Sequence, residues 1–278
     1  MNGNSMKVDF LIIGAARSGT TSLSQILDAH PDIGFCSIKE PQFFCKEDWR
    51  EHLDDYHSLF KTKSDIYGEG STNYSKFPSF NPNIHADIYE YNPKMKLIYI
   101  MRHPIERIIS HYKFSVERGY TNSQIDEEVL SNPIYLNTSK YFFQIHPYIE
   151  RFGLANIKLI LLEDFKKDPR KTMQAVFSFL GVRAFDFSNK LVHSNSSDTG
   201  SISHKKYDHP KSLVEKFLKG IHILFRKLAP KTSTDHTTLS QDSKTKLIEQ
   251  LKGDITRLEG LLNRDLSHWT FTHTESPK

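Results

Sequence analysis

A glycine-bounded segment near the start of the chain has the residue types of an anion-binding loop. It reads Gly14-Ala15-Ala16-Arg17-Ser18-Gly19-Thr20-Thr21-Ser22. A loop of this kind before a helix turns several backbone N–H groups toward one point, at the positive end of the helix dipole. Small side chains let the backbone approach an anion, and the three final hydroxyls can add donors. The segment predicts a phosphate or sulfate site; the alternative is an ordinary strand-to-helix turn with a surface arginine.

The loop differs from that of P-loop kinases and ATPases, which have lysine directly after the second glycine. Here Thr20 holds that position, and the cation, Arg17, lies inside the loop. Those enzymes also need an acid for magnesium, commonly at the end of a neighbouring strand, but the apolar run ending at Met101 continues into Arg102 and His103. A P-loop kinase is therefore a weaker alternative. Arginine, backbone amides and hydroxyls can neutralise the charge of a phosphosulfate without a metal ion, so we expect no metal.

A second candidate anion site follows the apolar run at 97–101. Arg102 comes directly after this run, at the carboxyl end of a predicted parallel strand, where such sheets bind ligands. Ser110 lies about two helical turns into the next helix and would have to face back toward the site. The alternative for Arg102 is a surface ion pair with Glu106.

Short buried strands alternating with helices must position these residues. Apolar runs predict strands at 10–13, 97–101 and 157–162, with helices following at about 20–30, 104–118 and 168–180. This alternation predicts an α/β fold with a mostly parallel central sheet flanked by helices. We expect a single domain over 1–278, with its core at about 8–181, a polar loop at 193–210 and a C-terminal helix at 240–269.

Composition limits the possible functions. The 278 residues are 37% hydrophobic and 25% charged, as in ordinary globular domains. A net charge of +4 suits an anionic ligand but is too small to indicate nucleic acid. Cys36 and Cys45 are the only cysteines, and we expect free thiols. No long apolar run or signal-peptide core is present, so we expect no membrane span and a cytoplasmic protein.

Together, the loop at 14–22 and the segment Leu97–Tyr112 resemble the sulfotransferases that use 3′-phosphoadenosine 5′-phosphosulfate (PAPS), especially the carbohydrate branch with the heparan sulfate enzymes. The similarity runs with gaps from about 8 to 180. It implies a P-loop-like sulfotransferase fold and transfer of a sulfuryl group to a hydroxyl or amine of a small-molecule or saccharide acceptor, leaving 3′-phosphoadenosine 5′-phosphate (PAP). By this resemblance the 3′-phosphate would be held by Arg102 and Ser110, and the 5′-phosphosulfate by Arg17, Ser18, Gly19, Thr20, Thr21 and Ser22. Many relatives have lysine in place of Arg17.

The segment Lys39-Glu40-Pro41-Gln42-Phe43-Phe44 is similar to the Glu-x-x-Phe-Phe segment of the carbohydrate branch, whose glutamate is the proposed base. Carried over, Glu40 takes the acceptor proton, with Lys39 or Arg17 as the cation that orients it or tunes its charge. A solvated loop glutamate is the alternative. The small-molecule branch uses a histidine instead, so the other candidates for the base are His103, His111 and His146.

The resemblance also suggests an acceptor side. The segment 69–74 would line the acceptor cleft or form a turn, and Phe43, Tyr56 and Tyr74 would stack on sugar faces. Lys205 and Lys206, in the polar loop, would fold over the 3′-phosphate or the adenine, or be solvated. Because a fold does not dictate a function, a nucleotide-binding module without catalysis is the alternative class.

Overall fold

The computed structural model describes residues 6–60, 63–187 and 237–270. Its centre is a sheet with the strand order β2-β3-β1-β4-β5, in which every neighbouring pair is parallel. The strands are β1 (Phe10–Gly14), β2 (Ile33–Phe35), β3 (Ile66–Gly70), β4 (Lys96–Met101) and β5 (Ile157–Leu161). The predicted α/β fold with a parallel sheet is confirmed.

Helices cover both faces of this sheet. Within the described ranges they are α1 (Thr20–Asp28), α2 (Leu53–His57), α3 (Ile84–Tyr91), α4 (Pro104–Glu117), α5 (Ile125–Ser131), α6 (Pro133–Ser139), α7 (Tyr141–Phe152), α8 (Leu162–Lys167), α9 (Pro169–Leu180) and α10 (Gln241–Leu262). Short 3₁₀ turns occur at Phe43–Cys45, Trp49–His52, Thr72–Ser75, Leu154–Asn156 and Ser267–Trp269.

The apolar run of β1 is continuous because both faces of the strand are buried. Side chains alternate between faces along a strand. Leu11 and Ile13 join one core cluster, while Phe10 and Ile12 join a second cluster that also contains residues of α1 and α9. The strand therefore lies between two apolar layers, as the sequence predicts.

Local signals set the ends of the predicted helices. Pro104 occupies the first turn of α4, where its missing N–H needs no partner. The Asp168 carboxylate accepts a 2.9 Å hydrogen bond from the Lys171 N–H at the start of α9, and Gly181 ends that helix with φ 82°. Ser240 caps α10 in the same way as Asp168 caps α9.

The C-terminal segment packs beside the residue that follows β4. Trp269 is fully buried, and its ring centroid lies 5.8 Å from that of Tyr141. The Tyr141 hydroxyl donates a 2.8 Å hydrogen bond to the Arg102 carbonyl. Helix α7 and the chain after α10 thereby hold Arg102 at the edge of the sheet. No helix in the described parts has the length and apolarity needed to cross a membrane.

Candidate active site

The loop at 14–22 joins the carboxyl end of β1 to α1. The first hydrogen bond of α1 runs from the Leu23 N–H to the Gly19 carbonyl over 3.3 Å. The N–H groups of Thr20, Thr21 and Ser22 precede it, so they have no acceptor within the helix and can bind an anion. Their three hydroxyls stand at the same helix end.

Two glycines are required by close packing. Gly19 has φ 94°, and a Cβ added there would lie 2.7 Å from Leu162 Cδ1. At Gly14 an added Cβ would lie only 1.9 Å from Ser75 Oγ. A side chain at either position would force the neighbouring side chain or the loop to shift, since such distances are not found between real atoms.

Arg17 brings the two predicted anion segments into direct contact. Its backbone has φ 69°, and its Nε donates a 3.1 Å hydrogen bond to Ser110 Oγ. Arg102 Nη1 in turn donates to the Arg17 carbonyl over 3.3 Å. The Arg17 guanidinium lies 5.0 Å from the ring centroid of Phe114. The resemblance assigns Arg17 and Ser110 to opposite ends of a nucleotide. In the structure, however, their side chains are in direct contact.

Arg102 also makes the ion pair that was its alternative role. Its Nη2 bonds to Glu106 Oε2, one helical turn away. Burial raises the pKa of the Glu106 carboxyl. The hydrogen bond and the positive charge of Arg102 together lower this pKa by more than burial raises it, so the net shift is downward. The Arg102 side chain is 20% exposed and that of Glu106 53%, so the arginine is the more enclosed partner.

Glu40 lies beside the start of α1. Lys39 Nζ donates a 3.0 Å hydrogen bond to Thr21 Oγ1, which ties the segment carrying Glu40 to the anion loop. Thr72 Oγ1 donates to Glu40 Oε2 over 3.1 Å. Lys39 is thereby occupied with the loop hydroxyl.

The cations that act electrostatically on Glu40 include one that the sequence analysis missed. Burial lowers the pKa of both Arg17 and Lys76, and the negative charge of Glu40 partly offsets this in each case. Arg17 was expected here, but Lys76 was not. The only signal for Lys76 was a basic residue shortly after the polar segment 69–74.

The prediction of exposed sugar-stacking aromatics is wrong. Phe43, Tyr56 and Tyr74 are all at least 96% buried. The rings of Phe43 and Tyr56 stack on each other with centroids 4.0 Å apart and an interplanar angle of 2°. The three side chains fill the core because each has apolar neighbours close in space that are distant in sequence.

The segment 69–74 forms a buried turn instead of an open cleft wall. Residues 72–75 make one 3₁₀ turn, and Glu69, Ser71 and Tyr74 have no exposed surface. Thr72 alone in this segment has a hydrogen bond to the predicted base among the described residues. The turn reading, which the sequence left open, is the correct one for most of the segment.

The three alternative histidine bases have different surroundings, and those of His111 are unfavourable for a base. His111 is buried, and burial together with the charge of Arg107 lowers its pKa to about 2. Arg107 Nη1 donates to its Nδ1 over 3.3 Å. His146 pairs with Glu150 at 3.5 Å on α7, and His103 lies 6.4 Å from the Trp269 ring. Glu40, by contrast, lies on the segment that the hydrogen bond from Lys39 to Thr21 ties to the anion loop.

Other sequence predictions concern cysteines, metals and the polar loop. Cys36 and Cys45 are free thiols, as expected. Within 6–60, 63–187 and 237–270, no cluster of three or more His, Cys, Asp or Glu side chains could hold a metal. Lys205 and Lys206, with the whole 193–210 loop, lie outside the described residues.

These features define an α/β protein with a predicted anion-binding loop after its first strand and a second basic segment beside it. The family model described as "Sulfotransferase domain" matches residues 7–221, well over half of the chain. The chain belongs to this sulfotransferase family.

Known relatives agree with this assignment. The chain is 22% identical over 251 residues to the bifunctional heparan sulfate N-deacetylase/N-sulfotransferase 1 of Caenorhabditis briggsae, covering 78% of this chain and 29% of that protein. It is 23% identical over 243 residues to carbohydrate sulfotransferase 15 of Mus musculus, covering 62% of this chain and 43% of the relative. The chain thus spans less than half the length of these curated relatives.

Solved structures share the fold. A sulfotransferase from Alicyclobacillus acidocaldarius superimposes with a TM-score of 0.69 at 24% identity, over 96% of this chain and all of the other. A mouse sulfotransferase complexed with PAP gives a TM-score of 0.51 at 17% identity, over 93% of this chain and 90% of that one.

Proposed function

We propose that this chain transfers a sulfuryl group from PAPS to a hydroxyl or amine acceptor, with a saccharide as the favoured acceptor class. The observation that carries the proposal is the contact between the two anion segments, through Arg17, Ser110 and Arg102. A ligand with anionic groups at two ends, as PAPS has, matches such a pair of basic segments. The names of the relatives support both the donor and a carbohydrate acceptor.

The residues present suit this donor. N–H groups and hydroxyls at Thr20–Ser22 can bind the 5′ end at the N-terminus of α1. Arg102 and Ser110 can bind the 3′-phosphate, since an arginine fork matches phosphate oxygens. Arg17 lies between the two groups and can contribute charge to either. When bound, PAPS supplies the sulfuryl group and a phosphate leaving group.

The proposed chemistry assigns two roles to this chain. Glu40 takes the proton of the acceptor hydroxyl as the new S–O bond forms. Arg17 and the start of α1 stabilise the negative charge that develops on the leaving phosphate when the old S–O bond breaks. Because these donors are already in place, little reorganisation is needed at the moment of reaction.

A transfer assay with labelled PAPS and a panel of saccharides and small hydroxyl compounds tests the proposal. We expect Arg17→Ala and Glu40→Gln to lose about 100- to 1,000-fold in turnover, which is typical for loss of one preorganised group. Arg183→Ala and Glu150→Gln are the matched controls, since both residues lie in exposed ion pairs with Asp32 and His146. Both controls should remain fully active.

The same assay separates catalysis from binding. PAP affinity by calorimetry with no turnover on any acceptor would favour a nucleotide-binding module. Absence of PAP affinity would refute the donor assignment itself. A cytoplasmic location remains a separate proposal, to be checked by cell fractionation, since one relative is named as a membrane-associated sulfotransferase.

A further inference from the structure

A buried carboxylate at the end of β3 has no role in the chemistry described above. Glu69 has no exposed surface. Three hydroxyls donate to it: Ser71 Oγ at 2.8 Å, Tyr74 at 2.6 Å and Tyr56 at 3.4 Å. No ion pair to Glu69 forms within the described part of the chain. Burying a carboxylate is costly, so such an arrangement requires a reason.

Two of these hydroxyls also hold the segment that carries Glu40. The Gln42 N–H donates to Ser71 Oγ over 2.9 Å, and the Phe44 N–H donates to the Tyr74 oxygen over 3.4 Å. A hydroxyl has one proton to donate. While Glu69 is ionised, it receives that proton from both hydroxyls, so their lone pairs are left facing the two N–H groups. Glu69 thereby fixes the direction of both hydroxyls.

The segment held in this way has a strained backbone. Glu40 has φ 56° and Gln42 has φ 53°, both in the left-handed region. This conformation is unfavourable for a residue other than glycine, because the side chain crowds the backbone. Strain of this kind persists only where the surroundings hold it. The N–H bonds at Gln42 and Phe44 provide the hold on one side, and the Thr72 bond to Glu40 provides it on the other.

We propose that Glu69 is a positioning residue that holds Glu40 in its reactive place by orienting the Ser71 and Tyr74 hydroxyls. The inference rests on the proposed function, in which Glu40 is the base. With glutamine at 69, the amide would donate a hydrogen bond into this cluster. The hydroxyl that faces the amide NH2 would then lose the acceptor of its proton, so its lone pair would no longer be held toward the backbone N–H of Gln42 or Phe44. The turn at 40–42 would relax, and a misplacement of about 1 Å can cost roughly 100-fold in rate.

The test measures kcat, KM and PAP affinity for Glu69→Gln and Ser71→Ala, with Glu40→Gln for reference. We expect kcat to fall about 30- to 100-fold in both. PAP affinity by calorimetry should stay within threefold of wild type, since the nucleotide contacts lie on the other loop. A merely structural role would not separate these two readouts.

A pair of tyrosine variants controls for stability. Tyr74→Phe and Tyr91→Phe each delete one phenol hydroxyl that accepts a backbone N–H, from Phe44 and from Val8 respectively. Their thermal midpoints should fall by similar amounts, but only Tyr74→Phe should lower kcat. This pair still decides the matter if Glu69→Gln does not fold.

The outcomes distinguish the two proposals. An active wild type with an inactive Glu40→Gln variant, but wild-type kcat in Ser71→Ala and Tyr74→Phe, would overturn the role of Glu69 alone. Equal loss of kcat in Tyr74→Phe and Tyr91→Phe would overturn it too. A folded wild type that binds PAP and transfers no sulfuryl group would refute the function on which it rests.

Discussion

Competition between Glu106 and a phosphate for Arg102 can be measured directly. The ion pair joins residues one helical turn apart, and Glu106 is half-exposed. Exposed pairs of this spacing contribute about 0.3–0.5 kcal/mol. A hydrogen bond to a charged group such as phosphate contributes about 1.5–3 kcal/mol. If Arg102 binds the 3′-phosphate as proposed, we expect the phosphate to displace Glu106 from the arginine.

The expected affinities follow from these magnitudes. Arg102→Ala should weaken PAP binding roughly 10- to 150-fold, since each 1.4 kcal/mol is a factor of ten. Glu106→Gln removes the weaker competitor and should tighten binding about twofold. Arg183→Ala, in an exposed ion pair at the other end of α1, should change nothing.

Calorimetry with two nucleotides identifies the group that Arg102 binds. PAP carries the 3′-phosphate, whereas adenosine 5′-phosphosulfate lacks it. Arg102→Ala should weaken only PAP, and the affinity of the second nucleotide should stay within twofold. Equal weakening of both would show that Arg102 acts through the Arg17 carbonyl, which it also contacts. Unchanged PAP affinity would refute the assignment altogether.

Two further predictions concern the loop and the buried carboxylate. Gly19→Ala should weaken PAP binding by calorimetry while the circular dichroism spectrum stays native, since φ 94° is unfavourable for alanine and the new methyl would meet Leu162; unchanged affinity would contradict this packing argument. For Glu69, burial raises the carboxyl pKa from 4.5 to about 7, despite its hydroxyl donors. The unfolded chain then binds fewer protons than the folded one between these values, so the Glu69 contribution to stability is present below about pH 4.5 and is lost as pH rises through about 7. Urea unfolding of wild type and Glu69→Gln should show the difference in unfolding free energy growing in favour of wild type by on the order of 2 kcal/mol from pH 7 to pH 5, and a constant difference would refute it.

The thiols and phenols around Glu69 do not titrate in the pH range of this unfolding experiment. Their pKa values are raised to about 12 or well above 10 by burial, so they stay neutral between pH 5 and 7. The negative charge that raises the Glu69 pKa further comes from Glu40. The titratable neighbours are Cys36, Cys45, Tyr56, Tyr74 and Glu40.

The parts of the fold that the sequence predicts are those set by local pattern. The 97–101 strand could be predicted because it is apolar on both faces, and the ends of α4 and α9 because Pro104 and Gly181 have conformational preferences of their own. Helices α5, α6 and α7 were not assigned. In α6 and α7 a proline obscures the helical pattern, because Pro133 lies in the first turn of α6 and Pro147 inside α7; α5 has no proline and is only seven residues long.

In the candidate site, too, the sequence predicts the features set by local pattern and misses those that depend on contacts between distant segments. The loop at 14–22 is contiguous, so spacing alone identifies it. The environment of Glu69 depends on Tyr56 and Tyr74, which meet it only through the fold, and no local signal reports its burial. For the same reason the sequence misplaced Phe43 at the surface. It also missed Lys76, which interacts electrostatically with Glu40 only because the fold brings the two near each other.

The sheet sets the distance between the anion loop and the proposed base, Glu40. The anion loop leaves β1 and the turn at 72–75 leaves β3, and these strands are parallel neighbours, about 4.8 Å apart. Gly14 packs against Ser75 with no room for a side chain, so the two chain segments cannot move apart or together independently. The hydrogen bond from Lys39 to Thr21 links the segment that carries Glu40 to the start of α1. Because strand spacing is nearly invariant, the fold fixes the distance between Glu40 and the start of α1. Under the proposed function, the molecule that receives the sulfuryl group can therefore vary without altering this distance.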